Sequence, residues 1–225
     1  MQLKTEQYKK EGMYLSFQNG ETLDLSVENI QKLSEEFWKD PHRLPLAMRQ
    51  HDDFKTCKVC PHRGQDVLCS AMKPLLPFLE QMEKYLSCDY VTAIYVQGDG
   101  KITISETDLQ HALQYVTNMA LFEYCEDVQR YQPYFKGIVP LMSLEEAIVR
   151  LAMNVFWIHR DHPAEADRVI AELREHVTET SKSCIKRLTV MCRSDAFRNA
   201  YLKTQTFIEF LAMDPKVILR KYFSA

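Results

Sequence analysis

The chain has 225 residues, of which 46% are hydrophobic and 26% are charged, and this balance is that of a globular protein with a sizeable core. The net charge of −3 gives no electrostatic reason to expect a nucleic acid or an anionic membrane as partner. Only 6 residues are glycine, which argues against glycine-rich phosphate loops, whereas 7 are cysteine, an unusual number.

The amino terminus has no apolar core of the kind that a secretory signal needs, and no later stretch approaches about 18 uncharged apolar residues. We therefore expect a cytoplasmic protein that does not enter a membrane. In a reducing cytosol, cysteines serve as metal ligands, redox groups or small buried hydrophobes more often than as disulfides.

Two similar units are predicted in the first half of the chain. Residues 13–25 are typical of a β-hairpin around Asn19-Gly20, and a helix follows from near Ser26 to just before Asp40. The same order recurs at an offset of 79 residues, with a hairpin over 91–104 and a helix from near Thr107. This indicates an internal duplication, although chance similarity of two amphipathic hairpins is the alternative. Pairing the hairpins gives a four-stranded antiparallel sheet.

A helical stretch over residues 70–87 is interrupted by two prolines, and from residue 107 onward the pattern is almost wholly helical. Ser143 with Glu146 forms a capping-box signature, and the helix that follows is apolar on more than one side, which predicts a central buried helix.

Three further segments complete the predicted helical bundle. Pro163 begins a helix that extends to about Val177, a short helix spans roughly 183–193, and a last one is capped by Ser194 and ends at Met213. The prediction is an α+β, predominantly helical fold in a single domain. Its duplicated half covers 1–126, with a cysteine-rich loop at 51–70, and its helical bundle half covers 127–225.

The strongest chemical signal is Cys57-Lys58-Val59-Cys60-Pro61, followed by Cys69. Two cysteines separated by two residues can both direct their sulfurs to one cation, and a third supplies most of a tetrahedral site. The candidates for the fourth ligand are Cys125, Cys88, His62 and His51. We favour Cys125, because thiolate-rich sites suit zinc or an iron–sulfur cluster.

Zinc is preferred among the possible occupants of this site, because the close cysteine spacing of ferredoxin-type runs is absent. A redox dithiol and inert thiols are the alternatives that remain open. Cys184 and Cys192 share a face with apolar neighbours and are predicted to be core residues, while Cys88 is unassigned.

Two further segments mix polar and aromatic residues. The first lies along one helix face at spacings of four and three, and it can face the cysteine loop or simply contact neighbouring elements: His111, Tyr115, Asn118, Phe122 and Cys125. The second, residues 131–140, can line a small-molecule pocket or cover the sheet, and we favour packing.

Several runs together resemble a family of uncharacterised bacterial proteins with a domain of unknown function: Cys57-x-x-Cys60-Pro61 through Cys69, residues 89–95, residues 110–115 and residues 145–150. The resemblance covers approximately residues 57–213. It implies a bacterial origin and a shared fold, but it carries no activity and no catalytic residue.

The sequence thus leads us to expect a non-enzymatic regulatory or interaction protein with an unidentified protein partner. Its structural zinc would be held by Cys57, Cys60, Cys69 and Cys125, and a closed four-ligand site leaves no open position for substrate. The alternative is a redox enzyme or sensor that uses an iron–sulfur cluster or a reactive dithiol at the same cysteines.

Overall fold

The structure, a computed structural model, describes residues 8, 10–40, 57–63, 65, 68–213, 217, 219–220 and 222. The strands are β1 (Gly12–Phe17), β2 (Thr22–Ser26), β3 (Tyr90–Val96) and β4 (Ile102–Asp108). The α-helices are α1 (Val27–Lys39), α2 (Leu79–Met82), α3 (Leu109–Met119), α4 (Glu126–Gln129), α5 (Leu144–Ile158), α6 (Pro163–Met191) and α7 (Ala196–Met213). A π-helix (Ala120–Tyr124) follows α3, and 3-10 turns occupy Ser70–Met72, Leu76–Phe78 and Gln132–Phe135.

The four strands form one antiparallel sheet in the order β2-β1-β3-β4. Each hairpin contributes two neighbouring strands, and the hairpins join through β1 and β3. Leu15 lies opposite Leu23 on one side and Ala93 on the other, so one face of the sheet is continuously apolar. The predicted sheet of two paired hairpins is therefore confirmed.

The helices cover the apolar face of this sheet and pack on one another. Helix α3 contacts the sheet and packs against α7, which in turn packs against α6 and α5. The side chain of Asp108 caps α3 by accepting a bond from the backbone N–H of His111 at 2.8 Å. Predominantly helical α+β architecture is thus confirmed, with α3 as the buried link between sheet and bundle.

Helix α5 lies at the periphery, and the prediction of a central buried helix is wrong. Its capping box at Ser143 is present, and Leu151 and Val155 are fully buried. However, Met153 and Trp157 on the other side are 43% and 71% exposed. The high apolar content of α5 therefore comes in part from exposed hydrophobic side chains and does not indicate burial on all sides.

The bundle also contains fewer breaks than predicted. Helix α6 is continuous through the polar stretch at 178–183, where we expected the end of one helix and the start of another. No glycine or proline interrupts it, and Thr178, Thr180 and Ser181 are buried against neighbours. Conversely, the region 70–87 is mostly turns, and only Leu79–Met82 is α-helical. Among the described helices, none is both long and apolar enough to cross a bilayer.

Candidate functional site

The four predicted metal ligands come from three separate segments that meet in one region. Cys57 and Cys60 lie in the loop 57–63, Cys69 precedes the turn Ser70–Met72, and Cys125 follows the π-helix. Three of the thiols are buried, and Cys60 is half-buried. Each of the four lies within electrostatic range of at least one of the others. The structure therefore brings together the residues that the sequence singled out.

A fifth thiol, Cys184 of α6, belongs to the same group. It is fully buried and donates a hydrogen bond to the sulfur of Cys69. On the preceding turn of α6, the Thr180 hydroxyl lies 3.9 Å from the sulfur of Cys57. The expectation that Cys184 is an ordinary core residue like Cys192 is therefore incomplete: both are buried, but the thiol of Cys192 bonds the carbonyl of Leu79 instead.

Backbone N–H groups point at all four predicted ligand sulfurs. Cys57 accepts a hydrogen bond from the N–H of Val59, and Cys60 accepts one from His62. Cys69 and Cys125 each accept two, from the residues two and three positions further on. Such bonds stabilise a thiolate relative to a thiol, which favours metal ligation.

A backbone N–H bond to a cysteine sulfur also occurs outside this cluster of cysteines. Cys192 accepts one N–H bond from Ser194, but its charged neighbours are Glu83 and Arg198 rather than other thiols. The N–H bonds therefore carry weight only together with the meeting of several cysteines.

The thiols differ in their tendency to ionise. Burial raises the pKa values of Cys57 and Cys60, and it raises the pKa of Cys125 to about 12. At Cys69, the bond from Cys184 and the positive charge of Arg187 outweigh burial and lower the pKa to about 6. The role of donor to Cys69, followed by burial, raises the pKa of Cys184. Within this pair the proton stays on Cys184, and the negative charge falls on Cys69.

A buried arginine stands beside the thiols. Arg187 is 1% exposed, and the sulfurs of Cys69, Cys184 and Cys57 are the groups that raise its pKa. Its Nε and Nη1 atoms make no hydrogen bond of ordinary geometry with the described residues. The Tyr201 hydroxyl, beside Cys184, likewise makes no hydrogen bond of ordinary geometry with the described residues. A guanidinium stays charged, and burial without an anionic partner costs several kcal/mol.

The sulfurs are gathered but do not converge on one point. Within the described ranges, no three Cys, His, Asp or Glu side chains are placed so that they hold a metal ion. The region thus combines ligand chemistry and a compensating cation, and ligation would require the sulfurs to move closer together.

The other candidates for a fourth ligand lie elsewhere or are engaged. His62 bonds Glu126 through Nε2 at 2.8 Å and Gln65 through Nδ1 at 3.2 Å, so both ring nitrogens have partners. Cys88 is exposed in the connection before β3, and His51 lies outside the described residues. Among the candidates within the described residues, Cys125 is the one that lies beside the other cysteines.

Hydrogen bonds of the residues that follow Cys125 fix α4 to the surrounding elements. The bond between His62 and Glu126 joins α4 to the cysteine loop. Asp127, which is 8% exposed, accepts a bond of 2.6 Å from Nδ1 of His176 on α6, and Arg130 donates to Nε2 of the same ring at 2.9 Å. The Arg130 contact places the imidazole proton on Nδ1.

The mixed polar and aromatic face of α3 does not look onto the cysteine loop. His111, Tyr115, Asn118 and Phe122 line a separate cavity together with α7 and the segment 132–142. The segment 131–140, which the sequence favours as a packing element, contributes to the cavity wall as well as to packing. Helix α3 turns this face towards α7, and only Cys125, beyond the π-helix, reaches the thiols.

The sequence model of a domain of unknown function, DUF6901, matches residues 13–224. The chain belongs to this family. The DUF6901 match includes both hairpins and the bundle, and so extends beyond the 57–213 over which the resemblance was seen in the sequence. No curated protein and no solved structure matches the chain.

Proposed function

We propose that Cys57, Cys60, Cys69 and Cys125 bind one zinc ion in a structural centre. The observation that carries the proposal is the meeting of these four cysteines, from three separate segments, beside the buried guanidinium of Arg187. The backbone N–H bonds to all four sulfurs support it further.

Charge balance explains why an arginine is buried there. Four thiolates around a divalent cation carry a net charge of about −2, which neutral thiols do not. Arg187 reduces this to about −1 and gains an anionic neighbour for its Nε and Nη1 groups. Without metal, Arg187 faces about one negative charge, on Cys69, so the zinc centre adds about one further unit.

The centre would hold three parts of the chain together. It joins the loop 57–63 and Cys69 to the end of the π-helix, next to α6. A closed set of four ligands leaves no coordination position for a substrate, so its contribution is folding energy. This suits a non-enzymatic regulatory or interaction protein in a reducing cytoplasm, acting on an unidentified protein partner.

A second candidate function rests on Cys184. Its hydrogen bond to Cys69 makes these two sulfurs a candidate for a reactive dithiol. A redox sensor would use such a pair, or would hold an iron–sulfur cluster at the four predicted ligands. Zinc is preferred to a cluster because the close cysteine spacing of ferredoxin-type runs is absent, and to a dithiol because it uses all four cysteines.

Metal analysis of the full chain, purified without oxygen, tests the proposal. We expect about one zinc ion per chain and no visible absorption near about 400 nm, where iron–sulfur centres absorb. Cys125→Ser is expected to lose most of the zinc, whereas the matched control Cys88→Ser, at an exposed thiol, retains it. Iron with acid-labile sulfide in the purified protein would contradict zinc and favour the iron–sulfur cluster. Metal-free protein with a reducible disulfide would contradict zinc and favour the dithiol.

A further inference from the structure

A cavity of about 980 Å³ lies between α3, α7 and the segment 132–142. Its size is at the upper end of the range for small-molecule sites. Among the described residues that line it there is no cysteine, so the cavity is distinct from the cluster of cysteines around Cys69.

The wall of the cavity is largely apolar and aromatic. The rings of Phe122 and Phe135 are tilted by 33° with centroids 3.8 Å apart, and Phe135 meets Phe207 of α7 edge-on at 6.2 Å. Met119 and Ile138 extend this surface. A ligand is therefore held mainly by the burial of apolar area.

One row of side-chain amides interrupts the apolar wall. Gln110, Gln114 and Asn118 follow one another at a spacing of four along α3, and all three line the cavity. Asn118 accepts a bond of 2.8 Å from the Thr204 hydroxyl, and its amide nitrogen has no partner among the described residues. Gln114 makes only a long bond of 3.5 Å to Thr204, through its nitrogen, so its oxygen is free to accept. The row therefore offers both a donor and an acceptor.

The charged groups around the cavity compensate one another or lie at its rim. Lys203 bonds both carboxylate oxygens of Asp108, at 3.1 and 3.2 Å. Burial and the charge of Lys203 lower the pKa of His111, so this ring is neutral near neutral pH. Glu123 and Lys136 are exposed. The two lining charges that form no ion pair within the described residues, on Glu123 and Lys136, stay exposed to water, so the buried part of the cavity favours an uncharged ligand.

The segment that covers the cavity is fixed in place and strained. Asn154 donates to the carbonyls of Tyr134 and Lys136 at 2.7 and 2.8 Å, and Nε2 of His111 lies 3.3 Å from the carbonyl of Met142. Between these anchors, Leu141 has φ 68° and is the one described non-glycine residue with positive φ. Backbone strain of this kind persists where a site is built around it.

We propose that this cavity binds an uncharged, predominantly apolar small molecule whose single hydroxyl, carbonyl or amide group bonds to Gln114 and Asn118. The apolar part lies against the aromatic side chains that join α3, α7 and the covering segment. The proposal does not depend on the zinc centre, because the two sites share no described residue.

Displacement of Nile red from the full chain tests both the site and the charge preference. We expect 1-decanol to displace the dye at concentrations at least about tenfold lower than decanoate or decyltrimethylammonium, which have chains of the same length and carry a charge. Absence of dye binding overturns the proposal. Equal or stronger displacement by either charged compound does so too.

Filling the cavity provides the second arm. Ala147→Phe places a ring inside and is expected to weaken dye binding at least about tenfold, whereas Ala164→Phe, at an exposed position of α6, leaves it unchanged. Val139→Phe, in the covering segment, gives an independent variant if the first does not fold. Dye binding that survives in a folded cavity-filling variant shows that the dye binds elsewhere and overturns the proposal.

Discussion

Replacement of Arg187 by methionine is expected to weaken zinc binding by about two orders of magnitude. Methionine keeps the length of the buried stem and removes the charge. Without metal, the sulfurs beside Arg187 carry about one negative charge, on Cys69, whereas the zinc–thiolate centre carries about −2. The metal-bound state therefore interacts with about one further unit of charge.

The energy of that difference follows from Coulomb's law. One unit of charge at about 5 Å and an effective dielectric constant of about 20 contributes about 3 kcal/mol, which corresponds to a factor of about 100 in the dissociation constant. Zinc competition against a chromogenic chelator measures this directly. Unfolding in denaturant with and without zinc gives the same difference by linkage.

The matched control is Arg174→Met on the same helix, because Arg174 pairs with Glu209 and its side chain is 55% exposed. An exposed ion pair contributes about 1 kcal/mol or less, and zinc affinity should not change. If Arg187→Met binds zinc as tightly as the unmodified chain, the charge argument for the centre is wrong.

Three further outcomes are expected, all measured by denaturant unfolding. Gly12→Ala should lower the free energy of unfolding by several kcal/mol, because the added Cβ would meet Ser26 Cα at 2.3 Å. Gly100→Ala, at φ 83° with open space around it, should lower it by about 1 kcal/mol. Equal losses from the two variants would contradict this steric argument. Leu151→Ala should lower the free energy of unfolding by about 2–5 kcal/mol, because it leaves a cavity. A similar loss from Met153→Ala, at an exposed position of α5, would contradict the peripheral position of this helix. The lowered pKa of His111 means that the unfolded chain binds more protons below about pH 6.5, so stability falls on acidification, and His111→Gln should reduce this slope.

Much of the fold is predictable because the decisive signals are local. The turn at Asn19-Gly20 and the repeat at an offset of 79 residues predict both hairpins, and pairing them is the economical way to cover their edges. The capping box at Ser143 fixes the start of α5 for the same reason. Burial of α5 was not predictable from its composition, because apolar residues also occupy exposed positions.

The cluster of cysteines was predictable only in part. The short spacing of Cys57 and Cys60 is visible in the sequence, and the choice of Cys125 rests on ligand chemistry. Cys184 and Arg187 were missed, because α6 meets the cysteine loop only in three dimensions. Their signal was a face of α6 on which Thr180, Cys184 and Arg187 follow at spacings of four and three, a polar row inside a buried stripe.

The cavity follows from helix orientation, which the sequence leaves undetermined. A face with amides and aromatic rings is unlike a pure core stripe, and it suits either a cysteine loop or a ligand. The position of α7 decides between these, and no local pattern specifies that helix–helix contact.

The most direct test of the central claim is X-ray absorption at the zinc edge of the full chain, purified without oxygen. The zinc centre predicts four sulfur neighbours at about 2.3 Å. A first shell of nitrogen and oxygen atoms, or protein without bound zinc, would contradict the assignment of Cys57, Cys60, Cys69 and Cys125 as its ligands.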